Sequence, residues 1–562
     1  MAHRREFLQQ AAAGLAAVGI ELPPQRRETP NGWAPVPWAS DVVPARMGRK
    51  SKATGNAGMA ICSHPLGTRA AVNILRAGGN ACDAALACSV VQTVVEPHMT
   101  TITGVLSLLY YDASTRKVSY INGGMNVPLA GLPGLSAADR PTGRGAGVPG
   151  FWGGFEAALA KHGNKPRKEI MAAAIDLARN GFEIHPFLYA EMFAQLDTIG
   201  RYPEGRRIYM PKGTLLLPGE VLRQPEAADT LSRLAEEGSN YFYHGAFAKR
   251  YSEVVKAAGG VITPEDFARY EARFQEPARS TYRGYEVYGS PPPDNGGTHI
   301  VEALNLIEHL DLKRLGPATE SAETLAWLVR ITNEVMSAGG RQTDPRSHPV
   351  PLEIITSKEY ARMRFELLRM SETIAAVNAP SPGSNHVTVI DAKGNVATIL
   401  HSVMSLPWAN GLFVNGITIA ASGGHFNRVM PRPGDRASAY VAPNIIMKDG
   451  RPVLASGSPS VGLIANILQN TTNLLDFGLD IETSVHRPRF GGSSQALAGA
   501  SYVEVDLDEK VRKDAAARGA KLHAVSPWHW INGAFEGIWV DQRSNTLTAC
   551  GDPRRTSHAE AA

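Results

Sequence analysis

The sequence predicts an α+β fold in which helices cover β-sheets, and three observations carry that prediction. Residues 81–92 are almost all small or apolar, which is typical of a helix buried on every side. Residues 105–111 form a continuous apolar run, typical of a buried strand. The pattern between 187 and 275 is mostly helical, whereas the chain after residue 384 is rich in short strands. Helices with buried faces beside apolar strands share a core, so we expect layers of helix and sheet.

The elements before residue 384 begin with a short strand at 59–63 and a helix at 66–77. The pair Gly78-Gly79 ends this helix. Further helices are predicted at 151–162, 167–180, 227–237, 246–258, 264–270, 298–310, 320–337 and 358–370, and strands at 117–122 and 282–288. The segment 371–383 has no periodicity and is the most linker-like part of the chain after the N-terminus.

A β-hairpin is predicted directly after this linker. Its strands are 387–390 and 396–403, and the three-residue loop between them ends at Gly394. Such a loop is typical of a type I turn with a bulge, and it fixes the register of the two strands. Counting outward from the loop, Ser384 lies opposite Ser402, at a distance where directly paired side chains touch.

Short strands dominate the rest of the chain. They are predicted at 417–420, 444–447, 452–457, 502–505, 521–524, 537–540 and 547–549, with one helix at 463–476. The second part of the chain therefore supplies mostly sheet and leans on helices of the first part.

The composition excludes several classes of function. The chain has 562 residues, is 43% apolar and 20% charged, and carries a formal net charge of +4 without a basic block, which gives no case for nucleic-acid binding. No stretch after the N-terminal segment is long and apolar enough to span a membrane. The four cysteines form no CxxC pair and are expected to be buried thiols. Nothing indicates a metal or an organic cofactor.

The N-terminus has a different character. Paired arginines, Arg4-Arg5, precede Phe7-Leu8 and a weakly apolar run at 11–20, a pattern typical of a twin-arginine export signal. We therefore interpret residues 1–45 as a signal and Pro-rich leader of a periplasmic or secreted protein. The alternative is a frayed basic tail.

The Gly383-Ser384 pair has two interpretations. One is an ordinary serine at the start of a hairpin. The other is a self-cleavage site, because the glycine presents an unhindered carbonyl to the serine hydroxyl. Cleavage would free the α-amine of Ser384, whose pKa of about 8 lets it act as the base for its own hydroxyl. It would also divide the chain into a large subunit, 46–383, and a small subunit, 384–562.

The sequence resembles the γ-glutamyltransferase (glutathione hydrolase) family over nearly its whole length. The motifs that carry the resemblance are Ser63-His64-Pro65, Ala77-Gly78-Gly79-Asn80-Ala81-Cys82-Asp83-Ala84-Ala85, Val95-Glu96-Pro97-His98, Val148-Pro149-Gly150, Leu222-Arg223-Gln224-Pro225, Tyr282-Arg283-Gly284-Tyr285, Gly457-Ser458-Pro459 and Gly551-Asp552-Pro553-Arg554. The resemblance implies the four-layer αββα sandwich of the N-terminal nucleophile hydrolases. It also implies self-cleavage into two subunits that stay together, and it leaves a dimer of these open.

The same resemblance assigns the catalytic positions. Ser384 stands where the family has its N-terminal threonine nucleophile, and Ser402 stands where a second hydroxyl supports it. The backbone amides of Ser460 and Val461 fall at the family's oxyanion-stabilising glycine pair. Backbone amides remain when the side chain changes, so the resemblance implies that the oxyanion hole is still present.

The substrate-binding positions depart from the family pattern. Gly124 replaces the arginine that holds the glutamyl carboxylate, and Met404 replaces an asparagine. Ser422 and His425 replace the residues that hold the α-amine, and Ala439 and Tyr440 replace paired serines. Losing one partner of a buried charge pair typically weakens binding by about 2–5 kcal/mol, so efficient γ-glutamyl turnover would need contacts from elsewhere.

Three functions remain open on these grounds. The first is a self-processing amidohydrolase for a small amide whose acyl group is not γ-glutamyl, with Met404, Tyr440 and Trp408 making the acyl pocket more apolar. The second is a true glutathione hydrolase or transferase with a relocated clamp. The third is an uncleaved, inactive homologue that binds a ligand or partner.

One aromatic cluster, Trp528-His529-Trp530, matches no motif of the family. We expect it to lie in a packed core or a subunit contact. His425 is open to a similarly ordinary interpretation, as a histidine with satisfied hydrogen bonds.

Overall fold

The computed structural model describes residues 36–338, 344–371, 383–422, 431–493 and 500–562. His425 and the export signal lie outside the described residues, as does most of the predicted linker. The catalytic pair Ser384 and Ser402 and the positions Gly124, Met404 and Tyr440 lie within them.

Helices precede and follow the strands throughout the chain. In chain order they are α1 (Pro65–Arg76), α2 (Ala81–Val95), α3 (Phe151–His162), α4 (Arg167–Asn180), α5 (Pro186–Ala194), α6 (Leu196–Ile199), α7 (Pro203–Tyr209), α8 (Pro225–Glu237), α9 (Ser239–Phe242), α10 (Ala246–Ala257), α11 (Pro264–Ala268), α12 (Asn295–Ile307), α13 (Leu312–Leu315), α14 (Ala322–Ala338), α15 (Leu352–Ile355), α16 (Lys358–Met370), α17 (Leu463–Leu475), α18 (Ile481–His486) and α19 (Glu509–Ala517).

The strands are short and mostly antiparallel. In chain order they are β1 (Lys52–Gly55), β2 (Gly58–Cys62), β3 (Val105–Asp112), β4 (Lys117–Gly123), β5 (Phe182–Glu183), β6 (Val221–Leu222), β7 (Arg273–Gln275), β8 (Ala278–Tyr282), β9 (Tyr285–Gly289), β10 (Asn385–Asp391), β11 (Val396–Ser402), β12 (Phe413–Val414), β13 (Ile417–Thr418), β14 (Asn444–Lys448), β15 (Arg451–Ser456), β16 (Phe490–Ser493), β17 (Ser501–Glu504), β18 (Leu522–Val525), β19 (Ile538–Asp541), β20 (Thr546–Cys550) and β21 (His558–Ala561).

Two seven-stranded sheets form the centre of the fold. One has the order β21-β2-β10-β11-β3-β4-β7 and contains both strands of the predicted hairpin. The other has the order β1-β20-β19-β15-β14-β9-β8. Both sheets combine strands from before and after residue 384, so the two parts of the chain share one architecture.

Three apolar cores hold these sheets in four layers. Side chains such as Met59 and Ile390 of one sheet meet Ile445 and Ile538 of the other in the central core. The outer face of the first sheet packs against a core that includes α1 to α4. The outer face of the second sheet packs against α12, α14 and α17. The order helix, sheet, sheet, helix is the αββα sandwich, which confirms the predicted fold class.

A capping box begins the buried helix α2. The Asn80 side chain accepts a hydrogen bond from the amide of Asp83 at 3.0 Å, and the Asp83 carboxylate accepts one from the amide of Asn80 at 2.9 Å. Asp83 also accepts a hydrogen bond from the amide of Asn164 at 2.9 Å, which ties α2 to the segment after α3. Local capping therefore explains the polar residues in an otherwise apolar stretch.

The hairpin has the register that its loop predicts. Asn385 pairs with His401 and Ile390 with Val396, so one further step sets Ser384 opposite Ser402. Gly394 has φ 82°, the left-handed conformation that a bulge of this kind needs. The predicted register is thus confirmed.

The structure corrects two other expectations. Residues 282–288 do not form one strand, because Arg283 and Gly284, with φ 51° and 81°, make a tight turn between β8 and β9. The end of the expected leader is part of the fold. Val36 and Ala39 are buried in the core beside α4, and the Trp38 indole donates to Asp176 at 3.0 Å.

The thiols of Cys62, Cys82, Cys88 and Cys550 are free and buried, as predicted. In the described part of the chain no helix has the length and apolar character needed to cross a bilayer.

Candidate active site

Gly383 fits a position that admits no side chain. Its amide donates to the Ser405 carbonyl at 3.2 Å. A Cβ atom at residue 383 would lie 2.5 Å from Cγ2 of Val403 and 2.6 Å from the Ser405 oxygen. The residue before Ser384 is therefore held close against the end of β11, with its carbonyl in a fixed place.

Ser402 contacts that carbonyl directly. Its hydroxyl donates to the Gly383 oxygen and accepts a hydrogen bond from the Met404 amide at 2.7 Å. A donor at this oxygen stabilises the negative charge that develops there when the carbonyl is attacked. The geometry thus suits Ser402 to support cleavage after Gly383.

The Ser384 side chain is held by the segment that precedes α17. Its Oγ accepts a hydrogen bond from the Ser460 amide at 2.9 Å, and the residue is only 8% exposed. Val461 follows, also buried, and α17 begins two residues later. The positive end of the helix dipole therefore points toward Ser384 and favours negative charge on its oxygen.

Several residues around Ser384 have strained backbones. Met404, Trp408 and Ser460 have φ of 53°, 45° and 79°, a left-handed region that residues with a Cβ seldom adopt. Such conformations cluster at functional sites because the surrounding structure enforces them.

Arg436 fills the space beside Gly124. A Cβ at residue 124 would lie 2.8 Å from Cδ of Arg436. The guanidinium is buried and donates to Oδ1 of Asn126 at 2.7 Å, to the Asn122 carbonyl at 3.0 Å and to the Glu271 carbonyl at 2.6 Å. Each of its three nitrogens is engaged by the protein, so it is not free to bind a ligand carboxylate.

Met404 lies in an apolar cluster next to the catalytic strand end. The cluster joins Met125 and Ala437, the neighbours of Gly124 and Arg436, to Ala439. Tyr440 faces the other way, into the core around α12, with its ring 5.5 Å from that of His299. Of the three positions predicted to make the acyl pocket apolar, Met404 therefore lies with the clamp position, whereas Tyr440 packs elsewhere.

Ser422 is fully buried near the clamp position. A Cβ at Gly147 would lie 2.9 Å from its Oγ and 3.3 Å from Sδ of Met125. The Oγ has no hydrogen-bond partner among the described residues. The ring of Trp408 lies 6.1 Å from that of His98, and its indole donates to the Tyr209 hydroxyl at 3.3 Å.

The histidines of the site strands are neutral core residues. His386 and His401 are buried, and burial lowers the pKa of each to about 3. His386 shares a hydrogen bond with Thr398 at 2.8 Å, and His401 shares one with Thr100 at 2.7 Å. Neither contacts Ser384 in the contacts that the described residues make.

Residues outside the predicted set pack near Gly383. The His98 carbonyl lies 3.6 Å from the position of a Cβ on Gly383, and its ring packs 5.2 Å from Phe187. Phe187 packs against Trp530, and Arg555 lies over both rings. In the sequence, the aromatic cluster at 528–530 was the feature that pointed to this region. The signal for Arg555 was weaker, since it only follows the Gly551–Arg554 motif.

Comparison with known proteins agrees with this geometry. The Gamma-glutamyltranspeptidase family model matches residues 67–562. The chain belongs to this family. It is 31% identical over 530 residues to an Acylase ACY 1 proenzyme of Pseudomonas sp. (strain SE83), covering 88% of this chain and 91% of that protein. It is 28% identical over 551 residues to a Glutathione hydrolase proenzyme of Bacillus subtilis (strain 168), covering 90% and 91%.

A solved relative shares the fold throughout. The crystal structure of a cephalosporin acylase from Bacillus halodurans superimposes with a TM-score of 0.82 at 25% identity, covering 92% of this chain and 97% of that one. The chain is therefore an N-terminal nucleophile hydrolase of the γ-glutamyltransferase type, and its relatives include acylase and glutathione hydrolase proenzymes. In the part of the chain that the structure describes, no group of three or more His, Cys, Asp and Glu side chains is arranged to hold a metal ion.

Proposed function

We propose that this chain is a self-processing amidohydrolase that acts on a small amide whose acyl group is not γ-glutamyl. It cleaves between Gly383 and Ser384 into a large subunit, 46–383, and a small subunit, 384–562. The single observation that carries the substrate proposal is Arg436. Its side chain occupies the space beside Gly124, and each of its three guanidinium nitrogens donates to the protein itself.

Self-processing begins with Oγ of Ser384, which attacks the Gly383 carbonyl carbon. Ser402 donates to the carbonyl oxygen as it gains charge, and the Ser460 amide stabilises Oγ as it loses its proton. The proton lost by Oγ passes to the Ser384 nitrogen, and the C–N bond then breaks to leave a free amine and an ester between Gly383 and Oγ. Water hydrolyses that ester, which yields the Gly383 carboxylate and a free α-amine on Ser384.

Amide hydrolysis uses the same atoms. The α-amine takes the proton of Oγ, which attacks the substrate carbonyl, and the amine then protonates the leaving nitrogen. The amides of Ser460 and Val461 stabilise the oxyanions of the two tetrahedral intermediates, one formed before the acyl-enzyme and one formed when water attacks it. Water, activated by the α-amine, releases the acid product.

The apolar cluster around Met404 supports an acyl group without the α-amino acid head. Met404 and Ala439 stand at positions where the family has polar side chains, and Met125 packs with them. Burying an apolar acyl group against this cluster contributes about 25 cal/mol per Å² of apolar surface removed from water. Ser422 adds one hydroxyl to this wall.

The deciding experiment combines mass and substrate. The intact mass of the denatured protein should show two species, the smaller beginning at Ser384, and a Ser384→Ala protein should stay at full length. The processed enzyme should hydrolyse apolar acyl p-nitroanilides at least about tenfold faster, in kcat/KM, than γ-glutamyl-p-nitroanilide. Rapid glutamate release would instead establish the glutathione hydrolase. A single uncleaved chain after long incubation would establish an inactive homologue.

We propose in addition that Arg4-Arg5 and the following apolar run direct export to the periplasm or exterior. Replacing both arginines with lysine should leave the folded protein in the cytoplasmic fraction. Export that persists in this variant would refute the twin-arginine assignment.

A further inference from the structure

Arg555 is a fully buried cation with no ion-pair partner within 4 Å among the described residues. Its guanidinium lies 4.9 Å from the ring centre of Phe187 and 5.7 Å from that of Trp530. Its Nη2 contacts Sδ of Met99 at 3.5 Å, a weak acceptor. Its Nε and Nη1 have no hydrogen-bond partner within the described chain.

The preceding residue shows what a satisfied arginine looks like in this fold. Arg554 is equally buried, but it donates to the Glu504 carboxylate at 2.7 and 2.6 Å and lies 3.3 Å from Asp552. Buried charges in proteins are normally paired in this way, because an isolated charge is costly to remove from water. Arg555 thus lacks the counter-charge that its neighbour has.

Arg555 lies between the two segments that hold the catalytic serines. The carbonyl of Met99, the residue whose sulfur contacts Arg555, accepts a hydrogen bond from the Val403 amide at 3.1 Å, next to Ser402. On the other side, Trp530 precedes Ile531, whose carbonyl accepts a hydrogen bond from Oγ of Ser460 at 3.4 Å. The cation therefore packs on Met99 and Trp530, next to the backbone contacts of Val403 and Ser460.

Further unpartnered polar atoms lie in the same region. They include both ring nitrogens of His98 and Nε2 of His185. The His98 and His185 rings are 6.3 Å apart. Burial first, and then the nearby charge of Arg555 among others, lowers the pKa of both histidines, so they are neutral. Buried polar atoms nearly always have hydrogen-bond partners, so these unpartnered atoms suit the binding of a polar ligand group.

The acids that face Arg555 do not cancel its charge directly. Burial raises the pKa of Glu96 to about 7, so it is about half protonated near neutral pH, and burial raises the pKa of Glu536 well above its usual range. Asp552 is already ion-paired, and Glu191 is a fourth acid whose charge acts on Arg555.

We propose that Arg555 binds a carboxylate group of the amide substrate, beside the rings of Phe187 and Trp530. The proposal rests on the proposed function, since the carboxylate belongs to the amide substrate whose acyl group is transferred to Ser384. The unpaired N–H groups offer charge-assisted hydrogen bonds, which are about twice as strong as neutral ones. The rings suit the carbon chain that carries the carboxylate. Recognition of a carboxylate would thus have moved from the Gly124 side of the nucleophile to the Arg555 side.

Two pairs of substrates test on which side of the amide the carboxylate lies. Glutaryl-p-nitroanilide and valeryl-p-nitroanilide differ by a carboxylate on the acyl side. Valeryl-4-aminobenzoate and valeryl anilide differ by one on the leaving group. In one of these pairs we expect the substrate with the carboxylate to have the higher kcat/KM, mainly because its KM is lower. In the Arg555→Gln protein the ratio within that pair should fall about 30-fold or more, and Arg555→Lys should restore part of it.

A purely structural role of Arg555 would lower both members of a pair alike and leave the ratio unchanged, which would overturn the proposal. A preference of the unaltered enzyme for the neutral member of both pairs would overturn it too.

Binding without turnover separates this proposal from the proposed function. Calorimetry should detect glutarate, but not its neutral diamide, on the Ser384→Ala protein, and the Ser384→Ala/Arg555→Gln protein should lose this signal. If no anilide is hydrolysed and the chain stays intact, the proposed function fails, whereas Arg555-dependent glutarate binding would still support this site. Absence of glutarate binding together with unchanged substrate ratios refutes the carboxylate site itself.

Discussion

The hydroxyl of Ser402 donates a hydrogen bond to the carbonyl oxygen of Gly383, the group that Ser384 is placed to attack. The intact chain therefore has a donor at the oxygen that becomes negative during cleavage. Removing one such donor typically slows an enzyme about 10²- to 10³-fold. We expect Ser402→Ala to slow self-cleavage by a factor in this range, measured by the appearance of the small subunit over time.

Two variants control for indirect effects of that change. Ser402→Thr retains a hydroxyl and should process much faster than Ser402→Ala. Ser405→Ala is the matched control. Within the described residues the Ser405 hydroxyl donates a hydrogen bond to the Leu406 carbonyl, and in the variant the carbonyl of residue 405 still accepts a hydrogen bond from the Gly383 amide. Equal processing rates in Ser402→Ala and the unaltered protein would rule out this role for Ser402.

Gly383 should tolerate no substitution. A Cβ at this position would lie 2.5 Å from Val403 and 2.6 Å from the Ser405 oxygen. In the Ser384→Ala background, Gly383→Ala should therefore lower the free energy of unfolding by about 1–3 kcal/mol, as overpacking does. In the active background it should block cleavage, because the carbonyl moves away from Ser402. Normal cleavage of Gly383→Ala, assessed by mass, would contradict the fixed geometry of this carbonyl.

Ser460 is a position where glycine should stabilise the protein. Its φ of 79° is left-handed, which typically disfavours a residue with a Cβ by about 1–2 kcal/mol. Ser460→Gly should raise the free energy of unfolding by about 1 kcal/mol, measured by urea unfolding, although the hydrogen bond from Oγ to the Ile531 carbonyl is lost. Ser460→Ala loses the same contact and keeps the strain, so it should not stabilise. Because the amide remains, cleavage should persist in both variants.

The hairpin register was predictable because a short loop with a left-handed glycine leaves one pairing, and that register sets Ser384 opposite Ser402. The strand at 282–288 was wrongly predicted, since Arg283 adopts a positive φ that its residue type does not reveal. Arg436 could not be assigned from the sequence. Its link to Gly124 depends on the packing of two distant segments, and no spacing in the chain records it.

Gly124 and Arg436 compete for one space. Placing an arginine at residue 124 would drive its Cβ to 2.8 Å from Cδ of Arg436 and to 3.1 Å from Oδ1 of Asn122. We expect Gly124→Arg to lower stability by roughly 1–3 kcal/mol or more and to create no γ-glutamyl hydrolysis. Gly124→Ala tests the overlap alone and should be milder. A large gain of γ-glutamyl-p-nitroanilide turnover in Gly124→Arg would show that the remaining clamp contacts are intact.

Glu96 should make the protein less stable at alkaline pH. Burial raises its pKa from an ordinary value near 4.5 to about 7, so the folded state binds a proton that the unfolded state releases. Stability from this group is greatest below the unfolded pKa and is lost as pH rises through about 7. Between pH 5.5 and 8 the loss should be about 2 kcal/mol. The Glu96→Gln protein should lack this loss, measured by urea unfolding at both pH values in the Ser384→Ala background.

The buried histidines oppose this trend on the acid side, and the comparison is designed to cancel them. Burial lowers the pKa of His386 and His401 to about 3, so their contribution to stability is present above pH 6.5 and is lost as pH falls toward 3. Both proteins carry these histidines, and the difference between them therefore reports Glu96 alone. If Glu96→Gln and its parent lose the same stability between pH 5.5 and 8, the carboxyl is ionised throughout and its buried charge must be paired by Arg555.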